Sequence, residues 1–509
     1  MPEKLLRLPE GSLMRVLLVY PNVRGLNMLP PAVASFSALL KDNGHDTLLF
    51  DTTYYNPQDD DLIDGESYKE QQLHVPLYKK PTDDISLQTT DVYEDFLSKV
   101  EAFDPQLIAL SCTEDLFPFA IRLLRHIRTK TTAKILVGGL FPTFAPEKAI
   151  AYDCIDMICV GEGEVALVEI CNKMSSGQSY THVTGLWIKE SGQLFRNEIG
   201  LPFDIDSGPL LDLDIFEERR FYRPFAGKIY KTFPVETYRG CPYRCSYCNS
   251  PMQRNLYLQS GKSFLRIKSI DRVFDEMRYF KDNYQAEYLY FWADTFLASP
   301  KSYLAEFRDR YISEINLPFW IQTRAETISH ENMQLLKSMG VHRIGLGLEH
   351  GNEKFRKEVL KRNLSNAHTI ERLNLINEYN VPFSVNNIIG FPDETRELAF
   401  DTILLNRDIP ADTRNMYTFT PFHGTELRTI SERRGYISPD IIASSLAKPT
   451  VLNMPEFPAH EIEGIKRCFV PYVLLEKDRW PEIRPAENLT PEGDATWQQL
   501  MHECKERFF

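Results

Sequence analysis

Between about residues 14 and 180, short apolar runs alternate with amphipathic stretches. The runs at 15–20, 47–51, 107–111, 134–138 and 155–160 are apolar almost throughout, which predicts parallel strands buried on both faces. Helical periodicity falls between most of them, as at 32–42 and 117–128. The pattern predicts an α/β fold with a doubly wound, Rossmann-like sheet, whose ligands sit beyond the carboxyl ends of the strands. One stretch, 54–91, breaks the rhythm: it is polar and acidic, includes Asp59, Asp60 and Asp61, and reads as a surface excursion near the ligand site or as disorder.

A second βα series begins at residue 233, with strand patterns at 233–238, 288–292, 319–323, 343–348, 383–388 and 415–419. Helical stretches such as 270–280 and 370–379 separate them. Six units suit a partial (βα)6 barrel better than a second open sheet. The expected organisation is therefore a sheet domain over 1–185, a Pro-, Gly- and Asp-rich linker over 186–232, a barrel over 233–430 and a small, mostly helical C-terminal region over 431–509. Trp480 and Trp497 in that last region read as core aromatics.

Composition narrows the function classes. A chain of 509 residues exceeds one ordinary core. Its formal charge of −13 argues against broad nucleic-acid binding, which needs a surface excess of Lys and Arg. No run of about 18 apolar residues marks a membrane span, and residues 1–20 lack the layout of a signal peptide. A cytoplasmic location, with no nucleic-acid or membrane partner, is the expectation. Of nine cysteines, Cys112, Cys154, Cys159, Cys171, Cys468 and Cys504 are scattered and read as small buried hydrophobes.

The other three are clustered. Directly after the first barrel strand the chain reads Cys241-Pro-Tyr-Arg-Cys245-Ser-Tyr-Cys248. Thiolates so closely spaced on a loop can ligate one metal centre. A structural zinc site needs a fourth soft ligand, and residues 249–254 offer neither Cys nor His; a zinc knuckle or redox cysteines remain the alternative. On a 4Fe-4S cluster, three thiolates leave one iron open to the amino and carboxylate groups of a methionine moiety.

Each later strand also ends in polar residues or glycine. The ends read Ala293-Asp294-Thr295, Gln322-Thr323-Arg324, Gly345-Leu-Gly347-Leu-Glu349, Gly390-Phe-Pro-Asp-Glu-Thr395 and Thr420-Pro-Phe-His-Gly424. They lie on the face where βα barrels place ligands. The cysteine loop, with Tyr247 at the aromatic position of CxxxCxΦC, resembles the radical S-adenosylmethionine (SAM) superfamily. The strand-end series resembles the subgroup shared with methylthiotransferases and anaerobic porphyrin-ring enzymes. By that resemblance Cys241, Cys245 and Cys248 hold the cluster, and Glu349 and Arg324 meet the methionine or ribose of SAM. Tyr247 lies near the adenine, Gly345 and Gly347 let the strand approach the ligand, and Asp294 faces the same cavity. Taken singly, Glu349 or Arg324 also reads as half of a buried ion pair.

The first domain has its own strand ends: Val137-Gly138-Gly139-Leu-Phe-Pro-Thr143 and Val160-Gly161-Glu162-Gly163-Glu164. A GxGxxG fingerprint after the first strand is absent. These pieces resemble the cobalamin-binding domain that precedes many radical SAM barrels. The resemblance implies that Ser111, Gly138, Gly139, Thr143, Gly161 and Glu162 line the cobalamin. Where many such domains carry Asp-x-His-x-x-Gly, this chain reads Pro21-Asn-Val-Arg-Gly25, so cobalt lacks a protein imidazole. The nearest histidine, His45, follows a helix C-terminus and reads as a cationic cap.

The whole is similar to the cobalamin (B12)-dependent radical SAM family, in its anaerobic Mg-protoporphyrin ester cyclase-like subgroup. That resemblance implies SAM, a 4Fe-4S cluster and cobalamin in its methylcobalamin form as cofactors. It also implies a small-molecule or peptide substrate and a low-potential electron donor such as flavodoxin or ferredoxin. The implied activity is methyl transfer to an unactivated carbon or a phosphinate phosphorus, begun by a 5′-deoxyadenosyl radical. Cyclisation, oxidation or ring rearrangement without methyl transfer is a second reading, and a non-catalytic cobalamin sensor a third.

Overall fold

The computed structural model describes residues 13–56, 62–75, 86–259, 261 and 263–509. The Asp59–Asp61 run lies outside them. The chain divides into two units: the described residues of Met1–Leu62, Pro81–Arg220 and Gln253–Phe264, and those of Ile63–Lys80, Phe221–Met252 and Leu265–Phe509.

In the first unit, strands β1 (Arg15–Tyr20), β2 (Asp46–Asp51), β3 (Leu107–Ser111), β4 (Lys134–Gly138) and β5 (Met157–Cys159) are parallel. Two antiparallel strands, β6 (Leu186–Glu190) and β7 (Gln193–Arg196), extend the sheet in the order β2-β1-β3-β4-β5-β6-β7. They occupy part of the stretch the composition gives to a linker. Val16, Leu17, Leu18 and Val19 are at most 2% exposed; burial on both faces makes these strands continuously apolar. The predicted doubly wound sheet is present.

His45 departs from its expectation. Its backbone N–H closes the helix Pro31–Asp42 on Leu40 O at 3.0 Å, but the side chain turns inward and pairs through Nε2 with Asn172 Oδ1 at 2.9 Å. Desolvation lowers its pKa, and the Asn172 bond opposes this. The helix end is thus capped by backbone, and His45 is a neutral core residue.

In the second unit, β8 (Tyr222–Phe225) and β9 (Lys228–Val235) form a hairpin. A short ribbon joins β10 (Tyr238–Arg239) to β11 (Arg266–Ile267). Strands β12 (Tyr288–Phe291), β13 (Phe319–Thr323), β14 (Val341–Glu349), β15 (Phe383–Ile389) and β16 (Thr413–Thr418) complete a curled half-barrel in the order β16-β15-β14-β13-β12-β9-β8. Six of its strands are parallel, as the six predicted units require.

The two faces of this sheet differ. Phe291, Ile321, Leu346, Val385 and Met416 are fully buried; Phe291 packs on Phe307 of the helix Lys301–Arg310, and Met416 joins a core with Ile462 and Ile465 of the helix Ala459–Arg467. On the opposite face Tyr290, Trp320, Asn386 and Tyr417 are half-buried, while Trp292 and Gln322 are exposed. The face covered by these helices supplies the core, and the other carries the half-buried aromatic and polar side chains.

The excursion at 54–91 is not wholly a surface loop. Its middle forms the helix Gly65–Gln71, and Leu73 and His74, each 3% exposed, are buried in the second unit. Sequence patterning misses a single short helix because its burial depends on chain distant in sequence. The C-terminal region is helical, ending in the helix Pro491–Phe508. Trp480 and Trp497 pack on its core and donate to Tyr472 O and Arg467 O. All six scattered cysteines are buried. Among the described residues, no helix is long and apolar enough to cross a membrane.

Candidate functional site

The loop holding the three cysteines follows β10 and is fixed at its centre. Ser246 donates through N to Leu360 O at 3.4 Å and through Oγ to Val359 O at 2.6 Å, and its carbonyl accepts from Leu427 N at 3.1 Å. Asn249 Nδ2 donates to His423 O at 2.7 Å. Two segments remote in sequence, 359–360 and 423–427, thus set the loop that a three-residue and a two-residue spacing only suggest.

Cys245 is buried and Cys241 and Cys248 are partly so. Desolvation raises the thiol of Cys241 to about 11 and that of Cys248 to about 12; Cys245 adds to the first, and Cys245 and Cys241 add to the second. Two raised thiols in a partly dry pocket suit a cationic centre that takes them as thiolates. Two donors already point at sulfur: Arg324 Nη1 lies 3.1 Å from Cys245 Sγ, and Ser250 N lies 3.4 Å from Cys248 Sγ. Among the described residues no group of three His, Cys, Asp or Glu side chains forms a single-ion site.

Arg324, predicted from the end of β13, is held on its other side. Its guanidinium pairs with Glu326 and lies 3.8 Å from the ring centre of Tyr243. Glu349, at the end of β14, has a left-handed backbone with φ 71° where the pairing with β15 shifts register. Such a conformation costs a non-glycine residue on the order of 1–3 kcal/mol and is kept where surroundings over-determine it. Here the surroundings are Arg362, whose Nη1 lies 2.8 Å from Glu349 Oε1 and 3.0 Å from Tyr247 Oη, and whose Nη2 donates to Gly347 O at 2.6 Å. Burial pushes the Glu349 carboxyl upward, with Arg362 opposing, and burial raises the Tyr247 phenol, with Glu349 adding to it.

The glycines serve these side chains. A Cβ on Gly347 would overlap the Glu349 carboxylate, and one on Gly345 would overlap the indole of Trp320. That indole stacks on Tyr290 at 4.3 Å and 8°. Asp294 is exposed at the end of β12 and accepts from Ser250 Oγ at 3.4 Å. The second unit therefore brings Tyr247, Arg324, Glu349 and the cysteine loop together. Sequence reasoning missed Arg362, Ser246 and Glu326. Arg362 lies in an irregular stretch between the helices Glu353–Glu358 and Asn366–Glu378, where no periodicity marks it.

In the first unit the predicted residues lie at the carboxyl ends of β3, β4 and β5. Ser111 and Gly138 are paired neighbours. Gly139 has φ 116°, and a Cβ there would overlap the carbonyl oxygen of Cys112, so only glycine fits. Thr143 Oγ1 donates to Gly139 O at 2.8 Å and accepts from Gly161 N at 3.1 Å, joining the two glycine loops. Glu162 is engaged within the protein: its carboxylate accepts from Phe203 N at 2.6 Å and its N–H donates to Tyr257 Oη at 2.7 Å. At Gly161 a Cβ would likewise overlap Tyr257 Oη and the Ile199 side chain, so both glycines let neighbouring chain pack closely at the strand ends.

The family model described as the radical SAM superfamily matches residues 235–404, and that of the B12 binding domain matches residues 68–171. A methyltransferase of Pyrococcus horikoshii, described as uncharacterised, is 26% identical over 343 residues, 66% of this chain and 71% of that protein. The anaerobic magnesium-protoporphyrin IX monomethyl ester cyclase of Cereibacter sphaeroides is 22% identical over 402 residues, 75% of this chain and 63% of the cyclase. The structure of the radical SAM methyltransferase TsrM from Kitasatospora setae, with cobalamin and a [4Fe-4S] cluster bound, has a TM-score of 0.62 at 16% identity, covering 97% of this chain and 99% of that one.

Proposed function

Because the chain belongs to the cobalamin-dependent radical SAM family, we propose that it is a methyltransferase acting on an unactivated carbon, or on a phosphinate phosphorus, of a small molecule or peptide. The observation that supports this reading is the union of a three-thiol loop, with Arg324 on Cys245 and the Tyr247–Arg362–Glu349 group beside it, and a B12-binding unit in one chain. When bound, the cluster and SAM supply a 5′-deoxyadenosyl radical that removes a substrate hydrogen, and cobalamin supplies the methyl group.

The chain's own residues bind and orient. Cys241, Cys245 and Cys248 hold the cluster. Arg324 directs an N–H at the Cys245 sulfur. Glu349, fixed by Arg362, offers a carboxylate to the amino or hydroxyl groups of SAM, and Tyr247 offers an aromatic face beside it. Gly345 and Gly347 leave room for Trp320 and for that carboxylate. Asp294 is exposed and can meet a ligand at the rim. In the first unit Ser111, Gly138, Gly139, Thr143, Gly161 and Glu162 form the cobalamin cradle, with no histidine in the 21–25 loop.

A low-potential donor such as flavodoxin or ferredoxin supplies the electron. Anaerobic protein reconstituted with iron, sulfide, cobalamin and SAM should form 5′-deoxyadenosine on reduction, and its product should gain one CH₂. Absence of 5′-deoxyadenosine would refute the radical reading. Loss of hydrogen without methylation would instead favour the second reading, a cyclase or oxidase, which the similarity to the Cereibacter sphaeroides cyclase supports.

A further inference from the structure

The second unit holds a cluster of buried polar atoms that the site above does not use. It forms where the excursion from the first unit's sequence meets β16. Asp64 caps the helix Gly65–Gln71 by accepting from Ser67 N at 2.7 Å, and Leu73 takes a left-handed φ of 52° before His74. The His74 ring lies 5.3 Å from Tyr417 and 5.8 Å from Tyr68, and Tyr68 lies 6.2 Å from Tyr417. Asn415 and Tyr417 are two residues apart on β16 and share the face of the sheet opposite Met416; Asn415 Nδ2 donates to Asn386 Oδ1 at 2.7 Å.

Tyr68 Oη, His74 Nδ1 and Asn415 Oδ1 are all buried without a hydrogen-bond partner among the described residues. Each such atom costs about 1–3 kcal/mol, and native folds retain few of them without a reason. We propose that the segment 63–75 and β16 form a substrate subsite here, which takes a neutral group carrying both a hydrogen-bond donor and an acceptor: a hydroxyl or an amide.

The class follows from the atoms. Asn415 Oδ1 only accepts, so the ligand must bring an N–H or O–H. Tyr68 Oη can donate, so the ligand also needs an acceptor. Lys69 and Lys466 lie near His74, but burial dominates and keeps its imidazole neutral, so the ring gives no charge to an anion. A hydrocarbon would leave all three atoms unpaired, and a fully ionised phosphonate would leave Asn415 Oδ1 without a donor. The proposal rests on reading the second unit as the catalytic one.

The test is hydrogen exchange by mass spectrometry on the reconstituted holoenzyme, with N-acetylglycinamide as amide probe and methylphosphonate as anionic probe. N-acetylglycinamide should slow exchange in the segment 63–75. Asn415→Leu should raise the half-saturating concentration at least about fivefold, the equivalent of one buried hydrogen bond. Asn415→Leu also gives up the bond to Asn386 Oδ1, so exchange is compared where both proteins are folded; Tyr68→Phe, which removes only an unpaired hydroxyl, should weaken the protection without earlier unfolding. The proposal is overturned if N-acetylglycinamide protects neither protein, if it protects both equally, or if methylphosphonate protects better; ordered water alone at the three atoms would give the first of these results. Failure of the wild-type holoenzyme to form 5′-deoxyadenosine on reduction would refute the radical reading, while the exchange result would still decide the subsite.

Discussion

Arg362 Nη1 lies 2.8 Å from the Glu349 carboxylate, and the pair joins a strand end with left-handed backbone to an irregular connector thirteen residues on. Each partner is under 13% exposed along its side chain, so removing one leaves the other charged and dry. Arg362→Met should therefore cost about 3–5 kcal/mol of stability. Denaturant unfolding of the single variants and of the Glu349→Gln, Arg362→Met double variant checks this. The double variant should recover much of the stability but none of the SAM binding, which separates the structural part of the pair from its ligand part.

The contact from Arg324 to Cys245 predicts an electrochemical effect. A hydrogen bond to a ligating sulfur stabilises the more negative, reduced cluster. Arg324→Met should bind iron and sulfide normally yet shift the reduction potential downward, read by potentiometric titration with electron paramagnetic resonance. An unchanged potential would mean that Arg324 serves only as the partner of Glu326 and Tyr243.

The thiol loop and the glycine loops belong to different units, so their losses should be separable. Cys245→Ala should abolish cluster absorbance and 5′-deoxyadenosine formation. The cobalamin spectrum of the same protein should persist. A protein that keeps its biological effect after this substitution would be a cobalamin sensor.

Packing on the open face gives a fourth prediction. Gly345→Ala places a methyl group into the Trp320 indole, which is stacked on Tyr290. Overpacking of this kind costs about 1–3 kcal/mol. Thermal unfolding and tryptophan emission should both change, whereas Gly177→Ala, with open space around its site but a left-handed φ of 65°, should cost only its backbone strain and leave the emission unaltered.

Acid sensitivity should come from His74. Its pKa falls from 6.5 to about 3, first through burial and then through Lys69 and Lys466; Tyr68 and Tyr417 flank the ring. The unfolded chain takes up a proton as pH drops through 6.5, and the folded one resists until about 3. Stability is thus complete above the unfolded value and declines between the two, by up to about 1.4 kcal/mol per pH unit. His45, also lowered by burial, acts in the same direction. His74→Phe should flatten the slope of unfolding free energy against pH in that window; an unchanged slope would show that His74 is reached by solvent.

Much of this architecture was legible because parallel strands announce themselves as unbroken apolar runs. Arg15–Tyr20 and Leu107–Ser111 carry that mark, and so does Phe319–Thr323 in weaker form. Cys241, Cys245, Arg324 and Glu349 were legible because they stand next to strand ends, where a barrel collects its chemistry. Arg362 was not, since its role arises from a connector folding back across the sheet. His74 was hidden for a related reason: the residues that bury it, Tyr417 and Lys466, lie more than three hundred positions away. His45 was misread because a helix end predicts a charge there only if the side chain stays in solvent.

The division of the chain bears on how such a protein is dissected or shuffled. Residues 63–75 belong to the second unit although the first unit's sequence surrounds them, and the described residues of 253–264 belong to the first although the second's surround them. A genetic cut near residue 200 would strand Leu73 and His74 with the wrong fragment and strip Tyr257 from the Gly161–Glu162 loop. Neither half is a self-contained cassette, and recombination between relatives would preserve packing only if both exchanged segments travelled with the unit they complete.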